Sequence, residues 1–117
     1  MRFLSIYKSK ETGAPPSAEH IAMMGKLIEE EMKSGVLLAT EGCLPSALGA
    51  RVRIADGTYT VVDGPFTEAK EVVGGFALLN VNSKAEAIEA TKRFLKVVGG
   101  GECEIRQLYE APAGSPA

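Results

Sequence analysis

Asp63-Gly64-Pro65-Phe66-Thr67-Glu68-Ala69-Lys70-Glu71 packs a turn signal, a lone aromatic and four charged side chains between two strand-like runs. Gly64 accepts unusual backbone angles, Pro65 fixes its own φ and holds Gly64 away from helical ones, and Pro suits the first position of a short helix. The stretch therefore reads as a strand end, a sharp bend and a short charged helical turn. Just before it, Ala50-Arg51-Val52-Arg53-Ile54 alternates cleanly, and Asp56-Gly57 is the preferred pair for a type I′ turn into Thr58-Tyr59-Thr60-Val61-Val62. A two-residue turn fixes the register. Ile54 faces Tyr59 and Val52 faces Val61 on the apolar side, while Arg53 faces Thr60 and Arg51 faces Val62 on the other. Asp63 follows the parity of Val61, so its carboxylate is expected on the side that the apolar residues bury, where it must be hydrogen-bonded, paired or protonated. Just after the motif, Val72-Val73-Gly74-Gly75 leads into Phe76-Ala77-Leu78-Leu79-Asn80-Val81, a strand apolar on both faces.

Working outward, Phe3 to Tyr7 reads as a strand covered on both sides, in the middle of a sheet. Glu11-Thr12-Gly13-Ala14-Pro15-Pro16 is a loop, and Ser17 is a natural N-cap for a helix with Glu19 in its first turn. Ile21, Met24, Ile28 and Met32 form its apolar stripe, Lys26, Glu29, Glu30 and Lys33 lie opposite, and Gly35 closes it. Val36-Leu37-Leu38-Ala39 is a second apolar strand, running into the bend Thr40-Glu41-Gly42-Cys43-Leu44-Pro45-Ser46. Ser83-Lys84-Ala85-Glu86 is a capping box for a second helix whose inner face is Ala87, Ile88, Thr91, Phe94, Leu95 and Val98, stopped by Gly99-Gly100-Gly101. Glu102 to Tyr109 makes a last strand, charged enough for an edge. Residues 111–117 have nothing to bury and are expected to form a flexible tail after a single domain spanning 1–110.

The order strand, helix, strand, hairpin, strand, helix, strand predicts an α+β fold: a ferredoxin-like split β-α-β sandwich with an added β-hairpin. Two helices cover one face of such a sheet, and the other face calls for a second copy, so a homodimer joined sheet to sheet is expected.

With 117 residues, 45% apolar and 24% charged, the composition is that of an ordinary globular domain. A formal net charge of −2 with scattered basic residues gives no footprint for nucleic acid. No apolar run approaches the roughly 18 residues of a membrane span, and the N-terminal run is too short for a signal peptide, so a cytoplasmic protein without membrane association is expected. Cys43 and Cys103 lie far apart without histidine-rich company, which reads as two free buried thiols and no metal site. The glycine pairs lack the Lys and Ser/Thr of a phosphate loop, so no nucleotide and no cofactor is implied.

The motif Asp63 to Glu71, together with Glu41-Gly42-x-Leu44-Pro45-Ser46, Gly49-Ala50-Arg51-Val52-Arg53 and Glu104-Ile105-Arg106-Gln107, resembles the YCII-related family, specifically its branch named for the Asp-Gly-Pro-Phe motif. The resemblance covers Met1 to about Glu110. It implies a ferredoxin-like dimeric α/β barrel without a firmly assigned reaction, some bacterial members being associated with extracytoplasmic-function sigma factors. The wider family looks like a set of enzymes with a polar His and Asp in a cleft.

Several residues carry a chemical reading beside a structural one. Asp63 reads as a general base or ligand-anchoring carboxylate, and equally as a cap accepting N–H bonds from its own turn. His20, the one histidine, falls on the helical wheel beside Leu27 and Glu31, as a proton relay or as a half-buried helix residue. Glu41, at a strand end, suits ligand contact or an ion pair with Arg51 or Arg53. Arg53 suits fixing substrate charge, and Glu68 and Lys70 suit lining a cleft or a solvated turn. Phe66 reads as an anchor for its loop. Two functions follow from these residues: a small cofactor-free enzyme doing acid-base chemistry on a small organic molecule, or a non-catalytic ligand-binding or regulatory module.

Overall fold

The computed structural model describes residues 1–12 and 15–110; the expected tail at 111–117 lies outside the described residues. In chain order the elements are β1 (Arg2–Ser9), α1 (Ala18–Ser34), β2 (Leu37–Gly42), a 3-10 turn (Ser46–Leu48), β3 (Ala50–Ala55), β4 (Thr58–Asp63), β5 (Val72–Asn80), α2 (Lys84–Val98) and β6 (Glu102–Gln107). Four strands form one sheet in the order β2-β5-β1-β6, every neighbouring pair antiparallel, and β3 and β4 form a separate two-stranded sheet. This is an α+β architecture with two split β-α-β units, compatible with the ferredoxin-like fold.

Both helices start and stop where side-chain chemistry says they should. The Ser17 hydroxyl accepts from the His20 N–H at 3.1 Å, and the Ser83 hydroxyl accepts from the Glu86 N–H at 3.2 Å, caps worth about 1 kcal/mol each. The Glu86 carboxylate returns a bond to the Asn82 N–H at 2.9 Å, one residue earlier than a standard capping box. Gly35 and Gly99 end the helices in left-handed conformation.

The helices cover one face of the sheet. Phe3 and Leu79, each 2% exposed and directly opposite across β1 and β5, pack with Leu37, Val81, Ala87 and Ala90 into the core. The opposite face carries Leu4, Ile6 and Leu78, half-buried, and the exposed Phe76 and Leu38. No helix among the described residues lies over it.

Several expectations are corrected. The stripe of α1 is rotated: Met24, Leu27, Ile28 and Glu31 turn inward, Ile21 and Met32 are exposed, and no residue of α1 is fully buried. The Glu31 carboxylate, 2.9 Å from the Arg93 guanidinium of α2, ties down that flank of the helix. Gly74 and Gly75 lie inside β5 rather than before it. A side chain at Gly75 would meet the Glu41 carbonyl oxygen at 2.7 Å, so only glycine lets β2 approach this closely. The stretch after Pro65 forms a single turn, closed by the Ala69 N–H on the Phe66 carbonyl at 3.1 Å, and no helix. The Cys43 thiol is free but exposed, because β2 ends one residue before it at the rim of the sheet.

The hairpin is in the expected register throughout, Val52 opposite Val61 and Ile54 opposite Tyr59. Asp56 and Gly57 both have positive φ, 51° and 78°, as a type I′ turn requires. Every residue of β3 and β4 is exposed, including the face expected to be buried. The alternation encodes a face to cover, and no element among the described residues covers it.

Candidate functional site

Under α1 the sheet carries small side chains, and the space they leave is a cavity of about 450 Å³ between the sheet and the two helices. Its floor is the helix-facing side of the central strands, where Ser5, Ala77 and the glycines Gly74 and Gly75 leave room. Leu27, Ile28 and Glu31 of α1 form the roof, and Phe94 and Val98 of α2 one wall. Tyr7 fixes the end of the cavity: its hydroxyl donates to the Gly100 carbonyl at 3.1 Å, and its ring meets Phe94 edge-on at 5.2 Å between centroids.

Most polar groups in the walls are already paired. The Ser5 and Thr91 hydroxyls share a hydrogen bond at 3.3 Å, and the Thr40 hydroxyl donates to the Phe76 carbonyl at 2.8 Å. Burial pushes the half-buried Cys103 thiol up, which keeps it protonated at neutral pH and a poor nucleophile. The remaining charged groups in the lining are Glu31 and Glu41. This arrangement suits holding an apolar molecule in place.

The second constellation is the motif itself. Gly64 lies so close to the 3-10 turn that a side chain there would overlap the Ser46 carbonyl oxygen, and its N–H donates to the Gly49 carbonyl at 2.9 Å. The Gly64–Pro65 peptide is cis. The Ser46 hydroxyl accepts the Phe66 N–H at 3.1 Å and donates to Glu11 Oε2 at 2.6 Å, and the Ser46 N–H donates to Glu11 Oε1. These two bonds hold the Glu11 carboxyl below its ordinary value. Arg51 stacks on the Phe66 ring at 4.0 Å and bonds the Glu68 carboxylate at 2.7 Å. Three loops are thereby tied together: β1 to α1 through Glu11, β2 to β3 through Ser46, and β4 to β5 through Phe66.

The chain topology brings those loops to the end of the sheet where β1 and β2 finish and β5 and β6 begin, the end at which Tyr7, Glu41 and Cys103 line the cavity. Of the residues singled out in the sequence, Glu41 alone is in the lining. His20 is exposed on α1, on the same helical face as Leu27 but about 10 Å nearer the N-terminus. Asp63 is exposed at the base of the hairpin opposite Ala50, and the Phe66 N–H goes to Ser46 rather than to it. Arg53 is exposed halfway along β3, and Lys70 is exposed beyond the motif turn. Glu68 pairs with Arg51, which takes the partner expected for neither. Among the described residues, no three His, Cys, Asp or Glu side chains gather closely enough to hold a metal ion, and no helix is long and apolar enough to cross a membrane.

Sequence reasoning missed Glu11, Ser46, Tyr7, Glu31 and Phe94. Glu11 and Ser46 lie 35 residues apart, and no local pattern joins them. The cavity did leave one signal, the small residues Gly74, Gly75 and Ala77 on strands otherwise built from large ones.

The family model for the YCII-related domain matches residues 1–111. No curated protein matches the chain.

Proposed function

The chain belongs to the YCII-related family, and within it we propose that this protein binds a small, largely apolar organic molecule between its sheet and its two helices, and does so as a homodimer. The observation that carries the reading is the cavity of about 450 Å³, inside the roughly 300–1,000 Å³ of small-molecule sites. The dimer is supported by the uncovered apolar surface: Val52, Ile54, Tyr59 and Val61 share one face of the hairpin at 58 to 71% exposure, and Leu4, Ile6, Phe76 and Leu78 share the helix-free face of the sheet. A second copy brings matching surfaces to both, closing the two sheets into the α/β barrel implied by the resemblance to the Asp-Gly-Pro-Phe branch.

Binding without turnover is the primary reading, because the lining is apolar and its thiol is protonated. It accommodates a cytoplasmic regulatory role, including association with a sigma factor. The acid-base reading draws on one observation: the connections that carry Asp63, Glu68 and Lys70, the start of α1 with His20, and Glu41 all lie at one end of the sheet. In that reading Asp63 is the base, His20 relays the proton, and Glu41 and Arg53 fix the substrate's charge.

The test uses Cys103 as a reporter in a Cys43→Ser background. A ligand in the cavity slows labelling of Cys103 by methyl methanethiosulfonate, and Leu27→Trp, which fills the cavity from α1, abolishes both the protection and the binding heat. Binding heat without any protection of Cys103, or binding heat that survives in Leu27→Trp, would place the ligand elsewhere. Product formation that disappears in Asp63→Asn while binding persists would establish the enzyme reading over the binding one.

A further inference from the structure

We infer that the cavity discriminates by charge and takes an amine: an apolar, ring-sized body carrying a cationic nitrogen, with anions of the same shape turned away. The inference rests on the binding reading above and adds the ligand's chemical class to it.

The charged side chains in the lining are both carboxylates, Glu31 in the roof and Glu41 at the rim, and among the described residues no Lys, Arg or His joins them. Glu31 is the informative one. Its side chain is only 12% exposed, on a helix whose other acids, Glu19, Glu29 and Glu30, face water. A carboxylate taken that far out of water is held there by a partner, with water left to the oxygen that stays accessible. Arg93 supplies one: its Nε donates to Glu31 Oε1 at 2.9 Å. Among the described residues Oε2 receives no hydrogen bond, and since no buried side-chain oxygen among them lacks a partner, it keeps contact with solvent. Arg93 cannot serve as a receptor for an anion in the cavity, because its own side chain is half-exposed on the outer flank of α2, over a separate shallow depression beside Val36 and Val81.

The rest of the wall agrees. The Tyr7 hydroxyl is committed to Gly100, and one of the Ser5 and Thr91 hydroxyls donates to the other, which leaves a single neutral O–H and no charged donor for a carboxylate or phosphate. The Tyr7 and Phe94 rings meet edge to face in the wall and present aromatic surface to an apolar body and to a cation. An ammonium group reaching Glu31 Oε2 replaces water there with a charge-assisted bond, and Glu41 at the rim adds attraction of the same sign as the ligand enters. An anion meets the Glu41 charge and a Glu31 carboxylate only partly offset by Arg93, which lies outside the lining, with no cationic donor among the described lining residues.

Three probes of one shape isolate the charge: tryptamine, indole-3-ethanol and indole-3-acetate, titrated calorimetrically into the dimeric protein at neutral pH. Tryptamine is expected to bind at least about tenfold more tightly than indole-3-acetate, with the alcohol between them. In Glu31→Gln the gap between amine and acid closes to within about threefold while the alcohol's affinity holds, because only the charge is removed. Glu41→Gln, an exposed position that no folding defect can confound, reduces the gap by a smaller factor. Equal affinity for the three probes, or preference for the acid, overturns the charge inference and leaves the binding reading standing, since the alcohol still protects Cys103. Failure of all three to bind or to protect Cys103 overturns both.

Discussion

Phe3 and Leu79 face each other across β1 and β5, and Val52 and Val61 face each other across β3 and β4, yet the first pair is 2% exposed and the second 67% and 62%. Both are apolar cross-strand pairs in antiparallel ladders. What separates them is a second layer: Ala87 and Ala90 of α2 close over the sheet, and none of the described residues closes over the hairpin. Strand pairing alone buries little side-chain surface, and a two-stranded ribbon in water is marginal by itself. The hairpin therefore keeps its shape through its ends. The type I′ turn sets one end, and the tie of Gly64, Phe66 and Ser46 sets the other.

The widest separation between the two regions is expected in the unfolding of the chain. Phe3→Ala should cost about 3–5 kcal/mol, the range for emptying a buried aromatic site. Val61→Ala should cost less than about 0.5 kcal/mol under conditions where the protein is monomeric, and should instead weaken dimerisation. Denaturant titration and molar mass by light scattering, against the 12.3 kDa of one chain, check both. Equal costs for the two substitutions would mean that the hairpin is already covered.

A smaller effect probes the tie at the hairpin's base. Ser46→Ala removes the acceptor for the Phe66 N–H and the donor to Glu11, and should cost about 1–2 kcal/mol. It should also blunt part of the acid response. The Glu11 carboxyl is held below its ordinary 4.5 by the two Ser46 bonds, so the unfolded chain takes up its proton first as pH falls. The stabilisation is complete above that value and is lost as pH drops through the lowered one. Melting temperatures followed from pH 6 to pH 3 should fall less steeply in Ser46→Ala than in the wild type. Glu68, Glu104 and Glu110, whose carboxyls are also lowered by Arg and Lys partners or backbone N–H groups, supply the acid sensitivity that remains.

The smallest effect is expected at the motif's first residue. Asp63→Asn should change stability by no more than about 0.5 kcal/mol, because the carboxylate is exposed and the turn's N–H is taken by Ser46. A melting temperature lower by several degrees would place Asp63 in a load shared with the partner copy, and would shift the motif from chemistry to assembly.

Much of the fold was legible because it is local. Ser17 and Gly35 bracket α1, Ser83 and Gly99 bracket α2, and Asp56-Gly57 fixes a register that Val52, Ile54, Tyr59 and Val61 follow without a slip. Each of these signals acts within a few residues, where backbone sterics and a single hydrogen bond decide the outcome. The rotation of α1 was not legible, since Ile21 and Met32 are as apolar as Met24 and Ile28, and the face that turns inward meets distant partners, Ile28 the core and Glu31 Arg93, 62 residues away. The candidate site was legible in part. The motif drew attention to the end of the sheet where the cavity opens, but it named Asp63 and Arg53, which stay exposed, and passed over Glu11, Ser46 and Tyr7.

By itself the sequence determined the helices, the hairpin, its register and the α+β class, because capping, turn chemistry and side-chain periodicity are written in neighbouring residues. Only the tertiary structure decided that the glycines of β5 admit β2 at close range, that a cavity remains beneath α1, and that a carboxylate in its roof keeps one oxygen free among the described residues. Those outcomes depend on how volumes and charges from distant segments meet, and contacts of that kind have no period along the chain.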